Sequence, residues 1–180
     1  MSGCEEEGEE GVTTAVTAAD RGWHFPGRDC LACHNYDLGA PQHLEIAGTI
    51  FKSAMPTNID DLAKICNADL SIEFVDSGFN VIDSTANYYD ANSKGYKGMG
   101  NVFLLQRLYN SVLNGSFYMR IVDKKSGLLM AQSTTLHPFS GGAYDLNSAV
   151  DFANRLSCNA CHNGQTTSYL YVQNNSSLCQ

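Results

Sequence analysis

The feature that most constrains this chain is a five-residue pattern, Cys-x-x-Cys-His, that occurs twice. The two copies, Cys30–His34 and Cys158–His162, lie near opposite ends of the 180-residue sequence. Each copy places two thiols and an imidazole within one or two turns of backbone. The segment 21–43 shows no clear hydrophobic period, so we expect irregular structure organised around the first copy.

This pattern is the attachment signature of c-type haem. Two thiols at this spacing reach the two vinyl groups of one haem, and the adjacent histidine is held under the iron as its proximal ligand. The sequence therefore predicts two covalently bound c-type haems. The predicted attachment residues are Cys30, Cys33, Cys158 and Cys161, and the predicted proximal ligands are His34 and His162.

Two other kinds of site use Cys-x-x-Cys pairs. Such pairs build tetrahedral zinc sites, with histidines nearby, and they also serve as redox dithiols. The two copies here are much further apart than the ligand pairs of a zinc ribbon, and no thioredoxin-like βαβ pattern surrounds either copy. Haem is the favoured interpretation, and zinc is the main alternative.

The sixth iron position decides between electron transfer and catalysis, because a protein ligand there favours electron transfer. Three histidines are left for this position: His24, His43 and His137. His24 lies just before the first motif, next to the chain reversal expected at Pro26-Gly27. His137 lies where the last predicted strand ends and the chain turns toward the second motif. We expect His24 and His137 to be the distal ligands, with His43 in reserve because it directly precedes a strand.

The middle of the chain is patterned as β-strands. Alternating apolar residues, with turn signals at intervals of about 8–12 residues, are typical of an antiparallel sandwich. The expected strands are 44–51, 70–75, 81–85, 117–122 and 128–135, with 102–106 either a strand or the start of a helix. Short helices are expected at 59–66 and 148–156.

The predicted fold class is mainly β, an antiparallel β-sandwich flanked by irregular haem-binding segments and a few short helices. Four zones follow from the pattern. They are an acidic flexible N-terminal tether (1–20), a first haem-binding segment (21–43), the β-sandwich (44–136), and a second haem-binding segment with a C-terminal tail (137–180).

Three cysteines lie outside the motifs. Haem attachment takes place outside the cytoplasm, where disulfides are permitted. We expect Cys66 and Cys179 to pair, with two free thiols as the alternative. Cys4 follows Met1-Ser2-Gly3, which resembles the end of a bacterial lipobox, so Cys4 is a lipidation candidate. The alternative is an incidental cysteine in a disordered acidic tail.

The charge balance excludes some partners. Eleven Lys and Arg against nineteen Asp and Glu give a net charge of −8 and a pI near 4.9. Non-specific nucleic-acid binding needs a basic face, so nucleic acid is not an expected partner. The sequence has no run of about 18 apolar residues, so membrane association is expected only through a lipid at the N-terminus.

With these residues in place, the chain resembles dihaem and multihaem c-type cytochromes of extracellular electron transfer in metal-respiring bacteria. It is similar in particular to small lipoprotein cytochromes in which a haem motif precedes a carboxypeptidase-regulatory-like β-sandwich. His24 with residues 27–34, followed by residues 46–51, carry this resemblance. The chain departs from known filament-forming cytochromes in having two haems with a large β insert between them.

The resemblance implies an electron carrier rather than an enzyme. It also implies a location outside the cell or at the outer-membrane surface, with the periplasm as a further possibility. The implied partners are other cytochromes, extracellular electron acceptors, or further copies of the chain in a haem-lined filament. Two other functions stay open: a small dihaem enzyme such as a peroxidase, and a binding module whose β-sandwich is stabilised by zinc or disulfides.

Overall fold

The computed structural model describes residues 25–88, 100–147 and 155–179. Three expectations fall wholly or mostly outside these residues: the acidic tether with Cys4, the ligand candidate His24, and the helix expected at 148–156. Within the described residues the protein is mainly β, and each Cys-x-x-Cys pair begins a short helical turn. These two turns are α1, Cys30–His34, and α2, Cys158–Cys161.

The strands pair antiparallel in two sheets, which confirms the mainly-β antiparallel fold class. The strands are Leu44–Thr49 (β1), Leu70–Val75 (β2), Val81–Ser84 (β3), Asn101–Leu105 (β4), Asn114–Asp123 (β5), Leu129–Gln132 (β6) and His137–Ser140 (β7). β1 pairs with β4 alone. The larger sheet has the order β3-β2-β5-β6, and β7 also pairs with β5.

Both sheets bury side chains in one common core. Ile46 of β1 and Leu104 of β4 belong to the same cluster as Ile72 and Phe74 of β2 and Ile121 of β5. Each is a large apolar side chain at most 7% exposed, and burying such a side chain is worth roughly 1.5–3 kcal/mol. This shared core is what makes the two sheets a sandwich-like unit.

The helix expected at 59–66 is wrong. The structure has only a 3₁₀ turn there, Leu62–Lys64, which is capped by Asp61. Ile65 forms an isolated antiparallel bridge with Phe51, and the amide of Cys66 donates to the carbonyl of Ile50 at 2.9 Å. Extended pairing with the chain after β1 therefore replaces the expected last turn of helix.

The larger sheet also continues beyond residue 136, where the sequence placed the end of the sandwich. β7 begins at His137 and pairs with the first residues of β5, from Phe117↔His137 to Asn114↔Ser140. His137 is therefore both the first residue of a strand and a member of the predicted haem-binding segment. Strand pairing fixes the backbone that carries this imidazole.

β1 is buried along its whole length, although its alternating sequence predicted a half-buried strand. The reason is that both motif turns pack against it. The amide of Ala47 donates to the carbonyl of Leu156 at 3.2 Å, and Ala47 bridges to Ser157 in parallel fashion. On the side of the first motif, the amide of Leu44 donates to Asn35 Oδ1 at 2.8 Å. β1 is thus the common support of the two motifs.

Candidate functional site

The first motif is a single helical turn anchored at both ends. Asp29 is its N-cap, and Asp29 Oδ1 accepts from the amide of Ala32 at 3.2 Å. Leu31 is fully buried and fixes the turn to the core. At the other end, His34 Nδ1 lies 2.9 Å from the carbonyl oxygen of Gln42. A neutral imidazole in this contact carries its proton on Nδ1, so Nε2 keeps its lone pair.

The second motif is also anchored to the fold, and its histidine Nδ1 also contacts a backbone carbonyl, but the partner residues differ. Asn159 is only 2% exposed, and its Oδ1 accepts from the amide of Thr49 in β1 at 2.8 Å. His162 Nδ1 lies 2.9 Å from the carbonyl oxygen of Ser168. This contact, too, leaves Nε2 as the nitrogen with the lone pair.

Both proximal candidates therefore have the hydrogen-bond partner that metal-bound histidines usually have, a backbone carbonyl that fixes the tautomer and the ring orientation. Burial is also the main cause that lowers the pKa values of His34 and His162. A lowered pKa keeps each imidazole neutral near pH 7, and the neutral form is the one that binds metal. On this test the residues fit an axial role toward haem iron.

His137 lies opposite His162. The two ring centres are 6.4 Å apart and the ring planes differ by 16°. His137 Nδ1 contacts the carbonyl oxygen of Thr135 at 3.1 Å, so its Nε2 also keeps the lone pair. Burial, followed by the charge of Arg155, lowers the pKa of His137 to about 4. His137 is therefore a second neutral imidazole, nearly parallel to the ring of His162.

The separation of these rings agrees with two axial ligands on one iron. A nitrogen–metal bond of about 2 Å and about 1.1 Å from nitrogen to ring centre put the two ring centres about 6.2 Å apart. Aromatic pairs without a metal also reach separations of this size. A spectrum of the purified protein distinguishes the two cases.

His43, the reserve candidate, lies in a different position. Its Nε2 contacts the carbonyl oxygen of Leu38 at 3.1 Å. It also directly follows Gln42, whose carbonyl contacts the Nδ1 side of His34. A sixth ligand must face Nε2, so this position does not favour His43 as a distal ligand. His24 lies outside the described residues.

The structure brings the two motifs together. Asp29 Oδ1, which caps α1, also accepts a hydrogen bond from the hydroxyl of Ser157, the N-cap residue of α2. Burial raises the pKa values of Cys30 and Cys158 to about 12, and the neighbouring Cys30 contributes to the shift of Cys158. The first cysteines of the two motifs are therefore neighbours, although they are far apart in sequence.

Gly48 allows the second motif to approach β1. A Cβ atom on Gly48 would lie 2.7 Å from Cys158 Cβ and 3.1 Å from Leu170 Cδ1. Real Cβ atoms essentially never approach another heavy atom to 2.7 Å, so any side chain here would displace α2. The absence of a side chain is thus required by packing.

The remaining cysteines differ in their bonding. Cys66 and Cys179 form a disulfide with a Cα–Cα distance of 4.4 Å, the pairing that the sequence suggested. Cys33 is disulfide-bonded in this structure, whereas Cys30 and Cys158 are free thiols. A thioether at Cys33 needs the same sulfur atom, so haem attachment to the first motif and this disulfide exclude one another.

The hydroxyl of Tyr144 donates to Asp29 Oδ2 and so also contacts the first motif. Sequence reasoning missed the residues that join the motifs: Asp29, Ser157, Tyr144 and Gly48. A signal existed for two of them. Asp29 and Ser157 are residue types that favour helix N-caps, and each directly precedes the first cysteine of a motif. The contacts of Tyr144 and Gly48 join segments distant in the chain, and no local pattern predicts them.

Two further findings concern only the described parts of the chain, 25–88, 100–147 and 155–179. No three or more His, Cys, Asp or Glu side chains converge there as a site for a bare metal ion. A haem iron needs only two ligands from the protein, because the porphyrin supplies four. No helix in these parts is long and apolar enough to span a bilayer.

Comparisons with models of protein families, with curated proteins and with solved structures found no match to this chain.

Proposed function

We propose that the protein is a dihaem c-type cytochrome that carries electrons outside the cytoplasm, at the outer-membrane surface, in the extracellular space or in the periplasm. The observation that carries the proposal is the facing pair His137 and His162, with ring centres 6.4 Å apart. Two neutral imidazoles at this separation can occupy both axial positions of one iron. Saturated coordination favours electron transfer over ligand binding.

The residues divide the work as follows. Cys158 and Cys161 would hold the second haem covalently, and His162 and His137 would bind its iron. The first haem would be held by Cys30, Cys33 and His34, which requires that the disulfide at Cys33 be open. His24, the other expected distal ligand, lies outside the described residues. Bound haem supplies one-electron redox chemistry at each iron. The chain itself orients the three half-buried imidazoles through backbone carbonyls.

The neighbouring motifs support a haem pair within one subunit. Electron transfer between the two haems then needs no assembly of copies, because the attachment points Cys30 and Cys158 are already adjacent. Self-association into filaments, and transfer to other cytochromes or extracellular acceptors, stay predictions. Sizing chromatography and electron microscopy of the purified protein test self-association directly.

The proposal is tested by producing the chain with a c-type haem maturation system. We expect two covalent haems per chain and a low-spin spectrum that carbon monoxide does not change. The double variant Cys158→Ala, Cys161→Ala should lose one haem. The matched control Cys66→Ala, Cys179→Ala removes two other cysteines and should keep both haems.

A purified protein without covalent haem after maturation would overturn the proposal. A protein with one haem, on the second motif only, would contradict the assignment of the first motif and agree with a persistent disulfide at Cys33. A high-spin spectrum that responds to carbon monoxide would favour an enzyme of the peroxidase kind.

A further inference from the structure

The carboxylate of Asp29 joins three segments that are distant in the sequence. Its Oδ1 accepts from the amide of Ala32 in α1 at 3.2 Å and from the hydroxyl of Ser157. Its Oδ2 accepts from the hydroxyl of Tyr144 at 2.5 Å, in the chain that follows β7. One side chain therefore contacts the first motif, the N-cap residue of the second motif, and the segment that follows His137.

Ser157 uses its hydroxyl in an unusual way for its position. Serine at an N-cap usually accepts a hydrogen bond from its own helix, but Ser157 makes no such bond to α2. It is 4% exposed and donates to Asp29 instead. Hydrogen bonds to an ionised acceptor are roughly twice as strong as neutral ones. The local cap is replaced by a link to the other motif.

This link lies next to an attachment sulfur on both sides. Cys30 directly follows Asp29, and Cys158 directly follows Ser157. A change in the distance between the two linked residues moves the first thioether of one haem relative to that of the other. The hydroxyl of Tyr144 holds the same carboxylate from a third direction, which limits its rotation.

We propose that Asp29 is a positioning residue common to both haem sites, and that its carboxylate fixes α1 relative to α2 and so the two haems relative to each other. This inference rests on the proposed function. Asp29 itself has no role as an iron ligand or an attachment site.

The test is circular dichroism of the haem-loaded protein in the Soret region. Two close haems couple, and the coupled transitions give a band pair of opposite sign whose amplitude depends on their relative orientation. We expect this pair in the unmodified protein and at least a twofold change of its amplitude in Asp29→Ala and in Ser157→Ala. Asp29→Asn should change the amplitude less than Asp29→Ala, because its amide oxygen can still accept the two bonds of Oδ1, although the acceptor for Tyr144 is lost.

The control is Asp61→Ala, which also removes an aspartate that caps a short turn, with Oδ1 accepting from the amide of Ala63 at 3.0 Å. It should leave the band pair unchanged. Haem content is measured on every sample. If Asp29→Ala fails to accumulate, the result for Ser157→Ala tests the proposal, because this variant removes the link between the motifs and leaves the Asp29 cap of α1 intact.

The outcomes separate the two proposals. Absence of haem from the unmodified protein overturns the proposed function. Two bound haems without a Soret band pair, or with an amplitude that Asp29→Ala and Ser157→Ala leave unchanged, overturn the positioning role and leave the proposed function standing.

Discussion

The two Cys-x-x-Cys-His motifs hold their histidines alike, but they dock on opposite ends of one strand by different means. At the start of β1, Asn35 forms two hydrogen bonds with Leu44, one to its amide at 2.8 Å and one to its carbonyl at 2.9 Å. At the end of β1, the second motif packs Cys158 against Gly48 and bonds Asn159 to Thr49. The first motif is docked by a side-chain amide, whereas the second depends on a missing side chain.

The described residues show what lies opposite the histidine of the second motif. His162 has His137 opposite it, held by the strand pairing of β7 with β5. On the Nδ1 side of His34 the structure shows Gln42, followed directly by His43. On the proposed function, the five-residue motif supplies the proximal histidine of each haem site, whereas the imidazole opposite His162 comes from a distant segment that the fold brings to it.

The largest expected effect is loss of the sixth ligand at the second motif. His137→Ala should convert one of the two proposed haems from low-spin to a form that binds carbon monoxide, because His137 is the imidazole that the described residues place opposite His162. The measurement is the visible spectrum with and without carbon monoxide. His43→Ala is the matched control and should change neither haem. An equal spectral response of His137→Ala and His43→Ala would contradict the role of His137 as the ligand opposite His162.

Removal of the disulfide should have the next largest effect. The disulfide between Cys66 and Cys179 closes a loop with a sequence separation of 113 residues, and this loop contains the second motif but not the first. The chain-entropy relation gives a stabilisation of the folded state of about 4–5 kcal/mol for a loop of this length. We expect the free energy of unfolding of Cys66→Ala, Cys179→Ala to fall by about this amount in denaturant titrations. Hydrogen exchange should rise more in α2 than in α1. Equal rises of hydrogen exchange in α1 and α2 would show that the disulfide does not stabilise the second motif more than the first.

A smaller effect is expected at Gly48. Gly48→Ala places a methyl group where Cys158 Cβ lies 2.7 Å away, and overpacking of this kind costs about 1–3 kcal/mol. Thermal unfolding measures the loss. Gly39→Ala, whose new Cβ would meet only Pro41 Cδ at 3.7 Å, is the control and should be close to neutral. A neutral Gly48→Ala would mean that α2 can move away from β1 without loss.

The smallest effect concerns Glu45, which lies next to Leu44 at the first-motif end of β1. It is 7% exposed and accepts from the amide of Leu113 at 3.0 Å, and burial raises its pKa. The folded state therefore binds this proton at higher pH than the unfolded chain. Its contribution to stability is present below the unfolded pKa of about 4.3 and is lost as pH rises through the raised folded value.

Glu45→Gln should remove this part of the pH dependence, since glutamine does not titrate. Denaturant titrations of both proteins between about pH 4 and pH 7 measure the difference. We expect the stability of the unmodified protein to decline more steeply with rising pH. Parallel curves would contradict a raised pKa at Glu45.

The strands show how far local patterns reach. Leu70–Val75 alternates cleanly, and the predicted strand has the same bounds as β2. Its apolar residues Leu70, Ile72 and Phe74 share one face and belong to the common core. β1 alternates too, and all six of its residues are buried, which only the docking of α1 and α2 explains. The expected helix at 59–66 failed for a similar reason, since Ile65 and Cys66 pair with the chain after β1.

Local sequence was enough to predict the β character of the chain between the motifs, and it carries the proposal of haem attachment at the motifs themselves. Both depend on residues that are close in sequence: two thiols and an imidazole in five positions, and side chains that alternate along a strand. Only the tertiary structure decided that the two motifs meet on β1, that Asp29 links to Ser157, and that His137 faces His162. Each of these contacts joins residues on different segments, so its geometry depends on how the sheets pack and not on any local pattern.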